Sequence, residues 1–479
     1  MTGPVEEQSG LLYTSPMHKR ITKQSFYRYL KCPSWIAYDA SGEVRDNPLR
    51  SRVQDDALIQ EQERAILVSR KSVEIDEVSE DAAVAKTLEF MQQGVQSIYG
   101  GVLMHGNWVA RPDLFERVSG KSHFGDYYYV ACDIKRSRHL KDEYCVQGAF
   151  YAEVLRHTQG MKPKQGYIMR PDGTVEAYVL DDFLTKFRLA LDGIERILEG
   201  IHEPHFLTSD CKQSPWFDKC KAETVASDHL SRMNRIWRSE VSALNDAGIT
   251  TVAQLAAQHA DKLAHRVHGV TAERLQFLVL GAKALVDGKP VILGTIDVPK
   301  TDDALIVDIE ADPLRDLHYL FGVLDVHGKS EEFHTFLAKQ QSEEKAAWDA
   351  FVAFMESRPG IPVYHYGWYE QDVFKLMAQR HGAPEGFVDD LAERSVDVLE
   401  RLREAVIFPL SFYSLKDIAQ FLGFRWRHDD ASGLNSVLWY EDWLRTGNRE
   451  MLDDVIRYNE DDVRATWLVR NWAKGRTSS

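Results

Sequence analysis

Residues 225–288 carry only helical periodicity, while strand-like and helical runs alternate on both sides of them. A sheet does not run through such a segment, so the chain is expected to build α/β units around separate cores. Its 479 residues agree, since about 100–200 residues per domain predicts two to four units. With 44% hydrophobic and 27% charged residues, a disordered or collagen-like chain is excluded.

No stretch approaches the roughly 18 uninterrupted apolar residues of a membrane span, and Met1–Pro16 has no apolar segment of the signal-peptide kind. A cytoplasmic protein without a membrane partner is therefore expected. Five cysteines are too few for a disulfide framework, so any clustering among them points to metal or redox chemistry. The net charge of −15, from 58 basic and 73 acidic residues, argues against simple electrostatic coating of nucleic acid. It leaves room for a nuclease, whose carboxylates hold divalent ions.

The chain divides into a flexible tail over 1–20, an α/β unit with a mixed sheet over 21–222, a small helical module over 223–300 and a second α/β unit over 301–479. In the first α/β unit, helices are expected around Thr22–Tyr38, Asp55–Val68, Asp81–Tyr99 and Asp142–His157, and strands at Trp108–Phe115, Tyr127–Ile134 and Gln165–Met169. Arg111-Pro-Asp113 is expected on a strand, and Cys132-Asp-Ile-Lys135 ends the next one. Period-2 geometry puts Asp133 and Lys135 on one face of that strand. Two carboxylates and a lysine could supply what phosphodiester hydrolysis needs, oxygen ligands for a metal and a cation beside the reacting phosphate. Gln147 and Tyr151 follow at i and i+4 on one helix face.

Together with Ser25-Phe-Tyr-Arg-Tyr-Leu-Lys-Cys-Pro33, these motifs make residues 21–222 resemble the RecB-like PD-(D/E)xK nucleases, a group that includes the AddB nuclease domain and the CRISPR adaptation nucleases. The resemblance implies a restriction-endonuclease-like mixed sheet. It also implies that Asp113 and Asp133 bind Mg2+ or Mn2+, that Lys135 acts on the scissile phosphate or the attacking water, and that Gln147 and Tyr151 contact the substrate. An acidic or His ligand from an early helix belongs to the same pattern. Glu63 is preferred over Glu61 for it, and no His stands there.

Cys32, Cys211 and Cys220 flank this unit. Many RecB-like nucleases hold an iron–sulfur cluster on one N-terminal and three C-terminal cysteines, and this chain keeps the spacing and Trp216 but has Ser214 at one cysteine position. A cluster with a non-cysteine fourth ligand, a zinc site, a site that has lost its metal, or three packing thiols remain open, with iron–sulfur preferred among the metals. Cys132 and Cys145 read as packing residues.

In the helical module, Ser242–Leu255 looks like a helix-hairpin-helix turning at Gly248, with a second turn at Gly269-Val270-Thr271. Such hairpins bind DNA backbone through turn amides; a purely structural bundle is the alternative.

In the last unit, Ala304–Glu310 reads as a buried strand, Tyr319–Val326 as its hairpin partner, Glu343–Arg358 as a helix, Val363–Tyr366 as a strand and Leu452–Trp472 as the closing helix. Period-2 spacing aims Asp308 and Glu310 at one site, and Tyr458 and Asp462 share a helix face at i and i+4. Tyr364–Glu370 ends a strand and enters a helix. Residues 302–472 thereby resemble the tyrosine branch of the DnaQ-like 3′–5′ exonucleases, with a ribonuclease H-like fold. The resemblance implies Asp308, Glu310, Glu370 and Asp462 as ligands of two metal ions and Tyr458 as the residue that orients water. The family usually has Asp where Glu370 stands. Asp372 competes with Glu370, and Asp461 with Asp462. Ser414-Leu-Lys-Asp417 and Phe421-Leu-Gly423 resemble the family's segment between these motifs.

The expected architecture is α/β multidomain: a restriction-endonuclease-like mixed sheet, a small helical hairpin module and a ribonuclease H-like α/β domain. The expected function is a metal-dependent tandem nuclease acting on DNA, single-stranded or at ends, in repair or in defence against foreign DNA, with RNA as a further substrate. One active domain beside a binding platform is the alternative, and a non-catalytic adaptor for nucleic acid or a helicase partner is a third reading. Clustered carboxylates without a metal repel one another, which speaks against the adaptor.

Overall fold

The computed structural model describes residues 20–41, 57–135, 140–170, 173–201, 205–313, 315–428 and 432–476, without the side chains of 57–63 and 213. Residues 1–19, nearly all of the expected tail, lie outside this description. The chain separates into two compact units, Met1–Glu223 and Thr224–Ser479.

The first unit is built on a six-stranded mixed sheet in the order Val73–Glu74, Ser97–Tyr99, Leu114–Ser122, Gly125–Ile134, Gln165–Met169, Val175–Val179. The central pair Leu114–Ser122 and Gly125–Ile134 is antiparallel, and Gly125–Ile134 then pairs in parallel with Gln165–Met169. That parallel step needs a crossover, which the helix Asp142–Gln159 supplies. Its apolar residues Val146, Phe150 and Leu155 are buried, with Phe26 and Phe187 packed in the same core. Phe26 lies 5.0 Å from Phe150 and 5.3 Å from Phe187, ring centre to ring centre.

Three expectations need correction here. The helix expected over Asp81–Tyr99 ends at Gln92, and Ser97–Tyr99 is a strand of the main sheet. The run expected as one strand, Trp108–Phe115, is two: Trp108–Ala110 belongs to a small separate sheet with Ile21–Thr22 and Leu103–His105, and Leu114–Ser122 belongs to the main sheet. Arg111-Pro112-Asp113 is the break between them, where Pro112 has no N–H to give to a ladder. The run expected as one helix, Thr22–Tyr38, is also two, Lys23–Lys31 and Pro33–Ala40, divided at extended Cys32. The proline again sets the division, since it disfavours the helical region for the residue before it.

The second unit carries a five-stranded sheet in the order Ser330–Leu337, Leu317–His327, Ala304–Asp312, Val363–His365, Ser395–Asp397. The first three strands are antiparallel neighbours and the last two join in parallel. Alternation along the central strand serves both faces. Leu305, Val307 and Ile309 pack with Trp348, Phe351 and Phe374, while Ala304 and Ile306 pack with Val463 and Val469 of the long helix Arg449–Ala473. Asp308 and Glu310 share parity with Ile306 and so face that helix.

Between Thr224 and Asp287 the chain forms the helices Arg238–Asp246, Val252–Ala256, Ala260–Leu263 and Ala272–Asp287. They join the sheet-bearing part through Val291–Ile292, which pairs with Val406–Ile407. No helix among the described residues is long and apolar enough to cross a membrane.

Candidate active sites

In the second unit, one carboxylate oxygen from each of Asp308, Glu310 and Asp462 lies within 4.8 Å of the others. The central strand supplies two of these residues and the helix Arg449–Ala473 the third. Neutral donors hold them. Asn459 Nδ2 donates to Asp308 Oδ2 at 2.7 Å and to the Asp308 carbonyl at 3.2 Å, and Trp426 Nε1 donates to Asp462 Oδ1 at 2.6 Å. Ser436 and Asn459 favour the ionised form of Glu310.

Asp461, the neighbour that competed with Asp462, turns elsewhere. Its carboxylate receives Arg427 N–H at 2.9 Å and Arg427 Nε at 2.8 Å. Asp372 is exposed, whereas Glu370 is buried in the first turn of the helix Tyr369–His381. Glu370 Oε2 has no hydrogen-bond partner among the described residues. It stands 3.7 Å from His365 Nδ1, which is engaged with the Gly367 carbonyl at 2.6 Å. Glu370 is not one of the three closest carboxylates, but Asp462 and Glu310 act on it electrostatically.

Crowding acids in a desolvated pocket drives protons onto them. Burial, then Asp462 and Glu310, pushes Asp308 well above the usual carboxylate range. Burial and Asp462 raise Glu310 to about 8, and burial with Asp397 and Asp462 raises Glu370 to about 8. Asp462 is raised by burial to about 6, less because Trp426, Tyr458 and Lys416 favour its ionised form. Burial beside Asp462, Glu310 and Asp308 holds the Tyr458 phenol far above its ordinary value. Lys416 Nζ lies 5.4 Å from the Tyr458 ring centre and 5.6 Å from that of Trp426. An all-oxygen set with an unpartnered buried oxygen beside it fits hard divalent ions such as Mg2+ or Mn2+.

In the first unit the structure brings together Asp113, Asp133, Lys135 and Tyr151, and adds Lys23. Lys135 Nζ is 2.9 Å from Asp133 Oδ2, and Lys23 Nζ is 3.3 Å from both Asp113 Oδ1 and Asp133 Oδ1. Asp113 N–H donates to Asp133 Oδ1 at 3.2 Å, and Ile134 N–H to Asp113 Oδ2 at 2.7 Å. Tyr151 O–H donates to Asp133 at 3.3 Å. Burial opposes ionisation of Asp133, but Lys135 and Lys23 outweigh it and hold the carboxyl below its usual range. Gln147 is buried in the same helix and donates to the Lys23 carbonyl at 3.0 Å. Glu63 lies on the helix Ala57–Arg70, and its side chain is outside the described residues.

Cys32, Cys211 and Cys220 come together and are buried, and both Cys211 and Cys220 act on the Cys32 thiol. Ser214 Oγ accepts Trp216 N–H at 3.1 Å. Three thiols fall one short of the usual cubane set, and the hydroxyl at the missing position is engaged by the backbone, so the set does not fit a four-thiolate cluster.

The first expected DNA-binding turn is satisfied internally. Val252 N–H donates to the Asp228 carbonyl at 2.9 Å, Ala253 N–H to Asp228 Oδ2 at 2.8 Å, and Thr250 N–H to Gln254 Oε1 at 2.8 Å. A carboxylate thus takes the place a phosphate would need.

Sequence reasoning assigned no role to Lys23, Lys416, Trp426, Ser436 or Asn459. Asn459 lies inside the Tyr458–Asp462 motif and Lys416 inside Ser414–Asp417, so local signals were present for those two. Trp426 and Ser436 reach the site only through the tertiary fold.

No curated protein matches the chain. Residues 305–474 match the family model RNase_H_2, described as RNase_H superfamily. This stretch, which contains all four carboxylates and Tyr458, is similar to the RNase H superfamily.

Proposed function

We propose that the chain is a Mg2+- or Mn2+-dependent nuclease that hydrolyses DNA phosphodiesters at the second unit's carboxylates, working from single-stranded tails or ends. The observation that carries this reading is the convergence of Asp308, Glu310 and Asp462 within 4.8 Å, with the buried Tyr458 phenol beside Asp462. Divalent ions held by these carboxylates and Glu370 would supply Lewis-acid activation of water and stabilise the leaving oxygen.

The residues do the rest. Water adds to phosphorus, the P–O3′ bond breaks, and the leaving oxygen takes a proton, giving a 5′-phosphate and a 3′-hydroxyl. Tyr458 remains a neutral phenol and orients the attacking water by hydrogen bonding. Asn459 and Trp426 fix Asp308 and Asp462, and Lys416 offsets part of the negative charge that the substrate brings. RNA is a substrate of the same chemistry. End processing in repair or in defence against foreign DNA, alongside a helicase partner, is the cellular setting that suits it.

The second reading is a tandem nuclease, and the bonded set of Asp113, Asp133, Lys135 and Tyr151 favours it. The test is Mn2+-dependent cleavage of end-labelled single-stranded DNA by wild type and Asp308→Ala. Undiminished cleavage by Asp308→Ala removes the proposal.

A further inference from the structure

The two carboxylate centres differ in what neutralises them. In the second unit Asp308 and Asp462 take hydrogen bonds from uncharged groups of Asn459 and Trp426. In the first unit Asp113 and Asp133 take two ammonium groups, Lys23 and Lys135.

The position of Lys23 is specific. Its Nζ is 3.3 Å from an oxygen of each aspartate, bridging the pair as a bound cation would. The remaining oxygens are also taken. Asp133 Oδ2 receives Lys135 and Tyr151, Asp133 Oδ1 receives Asp113 N–H and Tyr151 besides Lys23, and Asp113 Oδ2 receives Ile134 N–H. Among the described side chains here, two carboxylates and two ammonium groups cancel in charge. A divalent ion entering here would displace a largely buried ammonium and leave it beside a new dication in a low-dielectric pocket, a combination that costs free energy twice. Lys23 is itself held, because Gln147 Nε2 bonds its carbonyl at 3.0 Å and Ser25 Oγ accepts the N–H of the preceding Thr22 at 3.1 Å.

We infer that the Lys23 ammonium stands in for the divalent ion between Asp113 and Asp133, so that the first unit's centre is metal-free and all hydrolysis by this chain belongs to the second unit. The last clause rests on the reading proposed above; the metal-free centre rests on the first unit's geometry alone.

The test counts Mn2+ bound to the full chain, by the electron paramagnetic resonance of free Mn2+ during titration. Asp308→Asn with Asp462→Asn silences the second unit, and in that background no bound Mn2+ is expected. Adding Lys23→Gln is expected to create one Mn2+ site per chain, which Asp133→Asn then removes. A silenced chain with Lys23 intact that still binds one Mn2+, lost on Asp133→Asn, overturns the inference. A folded Lys23→Gln chain that gains no ion overturns it as well, since the ammonium is then not what excludes the metal. Should Lys23→Gln not fold, the silenced background alone decides between no ion and one. Failure of the second-unit reading is distinguishable, because it appears as unchanged Mn2+ binding between wild type and the silenced chain.

Discussion

Asn459 of the helix Arg449–Ala473 packs onto Gly322 of the sheet: Gly322 lies opposite Asp308 in the antiparallel ladder, and a Cβ there would fall 1.6 Å from Asn459 Oδ1. The glycine thus makes room for the amide that holds Asp308. A backbone position with no chemistry of its own thereby sets the direction of a candidate metal ligand.

Asn459→Ala is expected to lower Mn2+ affinity or the hydrolysis rate by about 10–100-fold, the usual effect of losing a group that orients a metal ligand. Gly322→Ala should reproduce the defect by pushing Asn459 away, with a stability loss of about 1–3 kcal/mol from overpacking. Kinetics and thermal unfolding of both variants check this. Gly322→Ala with wild-type activity would break the link.

Trp426→Phe keeps the ring and removes the 2.6 Å hydrogen bond to Asp462. A loss of about tenfold in kcat is expected, corresponding to about 1.4 kcal/mol of transition-state stabilisation. The ring packing against Phe424, with centres 4.8 Å apart, remains available to the phenylalanine. Unfolding temperature should therefore change little, which separates a chemical defect from a structural one.

Glu344, which belongs to neither candidate site, gives a pH dependence of its own. Its buried carboxylate receives His318 N–H at 2.8 Å, Arg380 Nη1 at 2.9 Å and His381 Nε2 at 2.8 Å. Burial opposes the charge, but His318, Arg380 and His381 outweigh it and hold the carboxyl below the usual range. With the folded value depressed, the stabilisation is present above the unfolded glutamate value of about 4.3 and is lost as pH falls through the folded value. Glu344→Gln should cost about 3 kcal/mol at neutral pH and flatten the acid limb of the unfolding curve. An acid limb identical to wild type would contradict this assignment.

Much of the fold could be read from periodicity. The strand Gln165–Met169 and the start of the helix at Asp142 coincide with the sequence expectation, and Ala304–Glu310 with its antiparallel partner follows from continuous apolar residues. Asp308 with Glu310 at period 2, and Tyr458 with Asp462 at i and i+4, were legible because each spacing fixes a shared face. The strand Ser330–Leu337 was not, since Glu331 and Glu332 on an exposed edge give no apolar alternation. Trp426 and Lys23 were also invisible. Each meets its carboxylate partner through the tertiary fold, across a sequence separation that no local period encodes.

The central claim, that the second unit's carboxylates carry hydrolysis, is tested most directly on end-labelled single-stranded DNA with Mn2+, comparing wild type, Asp308→Ala and Asp308→Ala with Asp133→Ala. Cleavage by wild type, its abolition by chelator and its complete loss in Asp308→Ala are predicted. A Mn2+-dependent product ladder that survives Asp308→Ala and disappears only when Asp133 is also replaced would contradict the account and place a working nuclease in the first unit.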